Sequence, residues 1–292
     1  MSQAAKKLVV CGGNGFLGSR ICKAAVARGF DVTSISRSGT PNWASISSSS
    51  TPPPWSNSVS WERADIFSPQ TWTPLIKGAD YVIHSMGILL EADYKGVLSG
   101  KESPISGLRK AFSSSPGYSQ NPLERGPSSQ SEIHPPNGPR QLTYEMMNRD
   151  SAILLAKEAA KEKVGTFCYI SASGGAPVLP SRYITTKREA EDTVAREFPE
   201  MRPVFIRAPI MYDASRPLTM PLAGMTFVGS LFNGATGGVL NDFLGGAGQK
   251  PLKADTVAEA VVEALEDESV KGPVEVPAIE ELARKHWRRG ML

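Results

Sequence analysis

The stretch Leu8-Val-Val-Cys-Gly-Gly-Asn-Gly-Phe-Leu-Gly18 places three glycines directly behind an apolar run. The run predicts a buried strand, and the residues that follow, 19–28, have the pattern of a helix. A strand, a tight glycine turn and a helix N-terminus form a pyrophosphate site, because backbone N–H groups and the helix dipole face the phosphates. The alternative is a glycine turn needed only for packing. We expect the following residues to contact a nucleotide: Gly12, Asn14, Gly15, Phe16, Leu17 and Gly18.

Composition excludes several classes of protein. The chain has 292 residues, of which 40% are hydrophobic and 21% charged, with a net charge of +3. These values are ordinary for a soluble globular protein, and the charge is too small to predict a nucleic-acid partner. No stretch is apolar enough to span a membrane. The histidines are scattered and the cysteines lack CxxC spacing, so we expect no metal site. The cysteines are predicted to be buried, reduced thiols in a reducing compartment: Cys11, Cys22 and Cys168.

Strand and helix patterns alternate along the first two thirds of the chain. Strands are predicted over 7–11, 31–36, 59–64, 80–85, 166–171 and 204–207, and helices over 16–28, 68–78, 144–163 and 181–198. Such alternation predicts an α/β fold, a Rossmann-type doubly wound parallel sheet. We assign residues 1–210 to this nucleotide-binding domain.

Residues 211–292 are predicted to form a small C-terminal substrate subdomain or lid, with a helix near 255–267 packing back on the sheet. Residues 38–58 are predicted to be a loop, and the Ser-, Pro- and Gly-rich segment 91–141 a mobile insertion. Segment 217–241 has no charged residue. It is either an apolar lid over a substrate, a surface that rests on a membrane or partner, or a buried part of the subdomain.

The end of the second predicted strand bears on cofactor choice. It reads Ser34-Ile-Ser-Arg-Ser38 and lacks the acidic residue that accepts the ribose 2′-hydroxyl in NAD-preferring folds. A guanidinium at Arg37, with Ser38 beside it, is suited to a 2′-phosphate, which predicts NADP(H). The alternative is a solvated Arg37. Asp65 is expected either to accept from the adenine amino group or to cap a helix. Further cofactor contacts are expected at Ile66, Ser85 and Gly87.

The pattern Tyr183-Ile-Thr-Thr-Lys187 predicts acid–base chemistry. Residues four apart share a helix face, so the lysine charge is expected to lower the pKa of the phenol and make it a proton donor and acceptor. Ser171 or Ser173 could hydrogen-bond a substrate carbonyl, and Asn148 could hold a water that relays protons. The alternatives are a surface Tyr–Lys pair, a capping serine and an ordinary helix asparagine.

These motifs together resemble the extended or atypical short-chain dehydrogenase/reductase family. The resemblance rests on the glycine turn, Asp65, Val82-Ile-His84, Tyr183-xxx-Lys187, Arg207-Ala-Pro and Asp255-Thr-Val-Ala258, and covers nearly the whole chain except 91–141. Within that pattern Ser171 fits the catalytic serine better than Ser173, and Lys187 also holds the nicotinamide ribose.

Longer strings resemble a fungal mitochondrial branch of this family that acts in ubiquinone biosynthesis, related to the SDR-type subunit of respiratory complex I. They include His84-Ser-Met-Gly-Ile-Leu-Leu-Glu91 and Thr143-Tyr-Glu-Met-Met-Asn148. The resemblance implies a matrix-side, inner-membrane-associated protein whose partners are other ubiquinone-biosynthesis proteins and a prenylated quinone intermediate, with peripheral membrane contact.

Three functions are weighed against one another. The first is an NADP(H)-dependent oxidoreductase acting on a carbonyl or hydroxyl of a prenylated quinone precursor. The second is a structural subunit in which NADP(H) only stabilises the fold, since a ligand that binds the folded state alone adds stability. The third is a lipid- or quinone-binding chaperone.

Overall fold

A computed structural model describes residues 4–47, 49–88, 142–174, 181–213 and 249–291. The strands in these ranges are β1 (Lys7–Cys11), β2 (Asp31–Ser36), β3 (Val59–Arg63), β4 (Tyr81–His84), β5 (Thr166–Ala172), β6 (Arg202–Ala208), β7 (Met211–Tyr212), β8 (Leu252–Lys253) and β9 (Gly272–Val274). Seven of them form one parallel sheet in the order β3-β2-β1-β4-β5-β6-β9. The order reverses between β1 and β4, so a ligand crevice is expected outside the carboxyl ends of these strands.

Helices cover both faces of the sheet. They are α1 (Phe16–Ala27), α2 (Trp43–Ile46), α3 (Thr73–Ile76), α4 (Ser151–Lys161), α5 (Arg182–Glu197), α6 (Ala254–Glu266) and α7 (Val276–Arg289). A π-helical turn, Glu145–Asp150, precedes α4, and 3-10 turns span Pro54–Ser58 and Pro69–Thr71. One buried cluster joins the sheet to α1, α6 and α7, and a second joins its other face to α3, α4 and α5. The predicted doubly wound α/β fold is therefore confirmed.

The apolar run of β1 explains this two-sided packing. Successive side chains of a strand point to opposite faces. Leu8 and Val10 accordingly enter the first cluster, and Val9 and Cys11 the second. A strand buried on both faces needs a continuous apolar run rather than an alternating one.

Most predicted boundaries lie within two residues of the observed ones. Two helices differ. The helix predicted over 68–78 is instead a 3-10 turn followed by α3, and the helix predicted over 144–163 opens with the π-helical turn. The three cysteines are free and buried, as expected. No helix within the described residues is long and apolar enough to cross a membrane.

The segment predicted to be a loop, 38–58, contains α2 and a 3-10 turn, so that prediction is wrong for these two pieces. Trp43, Trp55 and Trp61 pack edge-on there. The ring of Trp43 lies 5.6 Å from that of Trp55 and 5.8 Å from that of Trp61, measured between centroids. Burial of these large rings orders the connection between β2 and β3 despite its serines and prolines.

The C-terminal part of the described chain completes the sheet. Helix α6 packs on α1, where Arg28 pairs with the fully buried carboxylate of Glu263 at 3.1 Å. Strand β9 then pairs with β6 as the seventh strand, which the sequence did not predict because three residues are too short to show a pattern. The insertion 91–141 and the uncharged segment 217–241 lie outside the described residues, and the division at residue 210 stays a prediction.

Candidate nucleotide-binding and active site

The glycine turn after β1 brings backbone into close contact with backbone. Gly12 has φ +91°, a conformation that side chains disfavour, and its N–H donates to the carbonyl of Ile35 at 2.8 Å. A Cβ on Gly18 would lie 2.2 Å from the carbonyl oxygen of Gly12. Helix α1 therefore begins directly against the turn, and glycine is required at both positions.

The N-terminus of α1 is left open for an anion. Gly15 is its N-cap, so no side chain caps the first N–H groups, and its first turn carries no acidic residue. Uncapped N–H groups at a helix start carry partial positive charge. The turn and the helix start together fit a pyrophosphate group.

Two arginines stand at the carboxyl ends of β2 and β3. Arg37 is exposed, and Asn14 donates to the hydroxyl of Ser38 at 2.6 Å, which ties the glycine turn to the end of β2. Arg63, which the sequence reasoning missed, is the register partner of Ser36. Neither arginine makes a hydrogen bond or ion pair within the described part of the chain. Both are therefore available to a phosphate.

Asp65 follows β3 at the same edge of the sheet. Its carboxylate accepts from the N–H of Phe67 at 3.1 Å, so it caps its own turn. It is also exposed, which leaves it accessible to an adenine amino group, and its neighbour Ile66 is buried. The contact with Phe67 lies within a turn and does not cap the 3-10 turn that follows, whose N-cap is Ser68. The adenine contact stays a prediction.

Tyr183 and Lys187 share one face of α5, as the spacing predicts. The Nζ of Lys187 lies 5.8 Å from the centre of the Tyr183 ring. It donates to the carbonyl of Ile170 at 3.1 Å and to the hydroxyl of Tyr169 at 3.4 Å. Lys187 is only 5% exposed. Lys187 is therefore buried and Tyr183 beside it half-buried, so the alternative of a surface pair is wrong for the lysine.

The expected effect of the lysine charge on the tyrosine is not what the structure shows. Burial raises the pKa of Tyr183 to about 12, and the charge of Arg188 only partly opposes that rise. Burial also lowers the pKa of Lys187 to about 7, with Glu191 opposing it. Because about half of the Lys187 side chains are neutral near pH 7, the lysine stabilises the Tyr183 phenolate only weakly. At neutral pH the Tyr183 phenol is therefore protonated.

Gly87 connects the glycine turn to the Tyr–Lys pair. A Cβ at Gly87 would lie 3.1 Å from the side-chain oxygen of Asn148 and 3.6 Å from the Nζ of Lys187. Its neighbour Ser85 donates its N–H to the carbonyl of Cys11 at 2.8 Å, next to the turn. The residues after β4 thus lie between the proposed phosphate site and the proposed acid–base pair.

Asn148 lies on the π-helical turn, a feature that is frequent at functional sites. Its side-chain oxygen accepts from the N–H of Ile88 at 3.2 Å. Its Nδ2, like the hydroxyl of Ser85, is buried without a hydrogen-bond partner among the described residues. Buried polar groups are nearly always satisfied. These two orphaned groups, with the uncapped start of α1, fit a bound dinucleotide.

The two candidate serines lie in different surroundings. The hydroxyl of Ser171 is buried and accepts from Arg188 at 3.0 Å. Arg188 also donates to the carbonyl of Ala172 at 2.7 Å and pairs with Glu191. Ser173 follows the end of β5 and is only partly buried. Ser171 therefore has a structural partner, whereas Ser173 lies beyond the end of β5 and is more exposed.

Sequence reasoning also missed Tyr169 and Arg188. Tyr169 is two residues before Ser171 on β5, and the period of a strand places both on one face, so a signal was present. Arg188 had none beyond its place after Lys187. No group of three or more His, Cys, Asp or Glu able to hold a metal occurs within the described ranges.

Fold and site together define a Rossmann-type α/β protein in which Tyr183 lies beside a buried Lys187. The model of the NAD dependent epimerase/dehydratase family matches residues 8–93. MIOREX complex component 2 of Saccharomyces cerevisiae is 40% identical over 223 residues, which cover 72% of this chain and 74% of that protein. The chain belongs to the NAD dependent epimerase/dehydratase family, the extended short-chain dehydrogenases/reductases.

Solved structures share the fold at low sequence identity. UDP-glucuronic acid 4-epimerase from Bacillus cereus, in complex with NAD, has a TM-score of 0.51 and 17% identity, covering 92% of this chain and 78% of its own. Vestitone reductase from alfalfa (Medicago sativa) has a TM-score of 0.52 and 17% identity, covering 92% and 76%.

Proposed function

We propose that the protein is an NADP(H)-dependent oxidoreductase of the short-chain dehydrogenase/reductase type that reduces a carbonyl group. The observation that carries the proposal is the position of Gly87, which approaches both Asn148 and Lys187, while Ser85, two residues earlier, is hydrogen-bonded to Cys11 directly before the glycine turn. One crevice therefore contains the elements needed to hold a dinucleotide and those needed to move a proton.

In this proposal the cofactor is held by backbone and by cations. The turn Gly12–Gly18 and the start of α1 take the pyrophosphate, and Arg37 takes the 2′-phosphate with Arg63 as a second cation. The remaining contacts are Ser38, Asp65, Ile66, Ser85, Gly87 and Lys187. When bound, NADPH supplies a hydride to the carbonyl carbon of the substrate.

Tyr183 protonates the substrate oxygen as negative charge develops there. Its raised pKa, about 12 because of burial, means that the phenol carries its proton at pH 7. The protonated phenol is the acid for reduction, and the phenolate is the base for the reverse reaction. Ser171, or the more exposed Ser173, orients the substrate oxygen, and Asn148 offers its unpaired Nδ2 to the ligand.

The substrate class rests on resemblance. The strings shared with the fungal ubiquinone-biosynthesis branch support a prenylated quinone precursor as substrate and other proteins of that pathway as partners. They also support a location on the matrix side of the mitochondrial inner membrane with peripheral membrane contact. That a 40% identical yeast relative is named as a component of a complex supports protein partners.

The test compares Tyr183→Phe with Tyr81→Phe, which changes a buried tyrosine at the opposite end of β4. NADPH oxidation is followed with prenylated quinone precursors, and NADPH affinity by calorimetry. We expect Tyr183→Phe to lose about 100-fold or more in turnover, as removal of a general acid does, with its affinity unchanged. Tyr81→Phe should retain both. Equal turnover in the two variants would exclude Tyr183 as the acid.

A second function is favoured by the yeast relative's name. A component of a complex can hold a nucleotide for stability alone, since binding to the folded state shifts unfolding by mass action. In that case NADPH raises the melting temperature of the protein but no substrate is turned over. Cells that carry the Tyr183→Phe variant then make ubiquinone normally. Loss of ubiquinone synthesis in those cells would exclude this function.

A further inference from the structure

Tyr169 occupies a place between Lys187 and the π-helical turn that the proposed chemistry does not use. It lies on β5, is 1% exposed, and its hydroxyl donates to the backbone carbonyl of Asn148 at 2.5 Å. Lys187 approaches the same oxygen at 3.4 Å. A phenol has one proton and a carbonyl can only accept. The Tyr169 proton is therefore committed to Asn148, and its lone pairs are left for the lysine.

We propose that Tyr169 is a positioning residue for Lys187, because its hydroxyl ties the ammonium group to the backbone of Asn148 and holds it beside Gly87. The catalytic consequence rests on the proposed function, but the hydrogen bonds do not. Tyr169 and the carbonyl of Ile170 accept two of the three ammonium protons. The third is left for a ligand in the crevice, such as the ribose of a nucleotide.

No other side chain within the described residues hydrogen-bonds Lys187. On α5, Glu191 raises the pKa of Lys187, Arg188 lowers it, and the Tyr183 phenol is neutral at pH 7 because of its raised pKa. On β4, burial and the lysine charge lower the pKa of His84 to about 3, so the imidazole is neutral.

The tautomer of His84 follows from its partner. Ser151 donates its hydroxyl proton to the carbonyl of Met147 and so accepts from Nε2 of His84 at 2.8 Å. The imidazole thus donates from Nε2 to Ser151 at the start of α4, and that nitrogen is not an acceptor for Lys187. Tyr169 is left as the side chain that hydrogen-bonds the ammonium group within the described residues.

An acceptor that faces an ammonium group favours its charged form. Burial already lowers the pKa of Lys187 to about 7. Removal of the Tyr169 oxygen should lower that pKa by about one further unit, the size expected for a lost hydrogen bond to a charged group. Lys187 would then be mostly neutral at pH 7 and would no longer be held in place.

The experiment measures the pKa of Lys187 directly in the full chain. The protein is labelled with lysine carrying 13C at Cε, the Lys187 signal is assigned from its loss in Lys187→Met, and its shift is followed against pH. We expect Tyr169→Phe to lower the pKa by about one unit. The matched control is Tyr81→Phe, which removes a buried tyrosine hydroxyl that accepts from Lys6 at 2.8 Å, and it should leave Lys187 unchanged.

Affinity for NADPH, measured by calorimetry, gives the functional readout. If the charged lysine binds the nucleotide, a one-unit fall from pKa 7 weakens affinity about twofold at pH 6 and about tenfold at pH 8. A merely structural defect would weaken binding equally at both pH values. An unchanged Lys187 pKa in Tyr169→Phe overturns the proposal. A lowered pKa with unchanged NADPH affinity supports the positioning role and counts against the proposed function.

A second variant covers the case in which Tyr169→Phe does not fold. Replacement of Tyr169 by 3-fluorotyrosine keeps the size and the donated hydrogen bond but makes the oxygen a weaker acceptor. It should lower the pKa of Lys187 by a smaller amount in the same direction. A pKa equal to that of the unmodified protein would overturn the proposal.

Discussion

Replacing Gly18 with alanine would place a methyl carbon 2.2 Å from the carbonyl oxygen of Gly12 and 2.8 Å from the Cα of Gly13. Both neighbours are backbone atoms, so no side chain can rotate away. Ordinary contact begins near 3.4 Å, and the turn must therefore retreat by about 1.2 Å. Such overpacking costs about 1–3 kcal/mol, part of which is offset by the better helix propensity of alanine.

The turn that would be displaced is the proposed phosphate site. The affinity for NADPH should therefore fall together with the free energy of unfolding. We expect Gly18→Ala to lose about 1–2 kcal/mol of unfolding free energy in urea and at least about tenfold in NADPH affinity by calorimetry. The control is Gly165→Ala, whose new Cβ would meet only the carbonyl oxygen of Asp80, at 3.7 Å. Alanine at this position reduces the conformational freedom of the unfolded chain, so the free energy of unfolding should stay the same or rise slightly. Unchanged stability and affinity in Gly18→Ala would refute the close approach of helix and turn.

Three further predictions follow from charges and burial. Arg37→Glu should weaken NADPH by at least about tenfold and NADH far less in calorimetry, and equal losses would contradict the 2′-phosphate assignment. Because burial lowers the pKa of Lys187 from 10.5 to about 7, the unfolded chain binds more protons between these values. Unfolding free energy should therefore rise with pH over that interval, and urea titrations of Lys187→Met should lack this contribution; an identical pH dependence would contradict it. Burial raises the pKa of Cys11, Cys22 and Cys168 to about 12, so iodoacetamide should label them only as fast as the protein unfolds, and rapid labelling of native protein would contradict their burial.

The strands of the sheet could be predicted where burial requires a run of apolar residues in the sequence. Strand β1 has the predicted limits because it is an apolar run that ends at a glycine turn. Strand β2 also has the predicted limits, although only Val32 and Ile35 of its six residues are apolar. Strand β9 was missed because a three-residue strand at the sheet edge gains its conformation from pairing with β6 and not from its own residues. The π-helical turn was missed because apolar spacing does not distinguish its extra residue from ordinary helix.

The sequence predicted which residues of the site lie near one another better than it predicted their protonation states. Spacing alone placed Tyr183 and Lys187 on one face of α5, since helix geometry fixes it. Their pKa values depend on how much water surrounds them, which the spacing does not contain, and the expected lowering for Tyr183 was wrong. Arg63 left no signal because a cation at the end of a strand looks like any solvated residue.

The edge-on tryptophans between β2 and β3 give the protein an optical property of its own. Indole emission overlaps the absorption band of reduced nicotinamide, which the oxidised form lacks. Trp61 lies on β3 two residues before Arg63, and its ring contacts that of Trp43. Energy transfer from this cluster should therefore quench indole fluorescence when NADPH binds at the neighbouring strand ends, and should do so far less with NADP⁺. The unlabelled chain would thus report the redox state of its own nucleotide, and loss of quenching during turnover would time the chemical step.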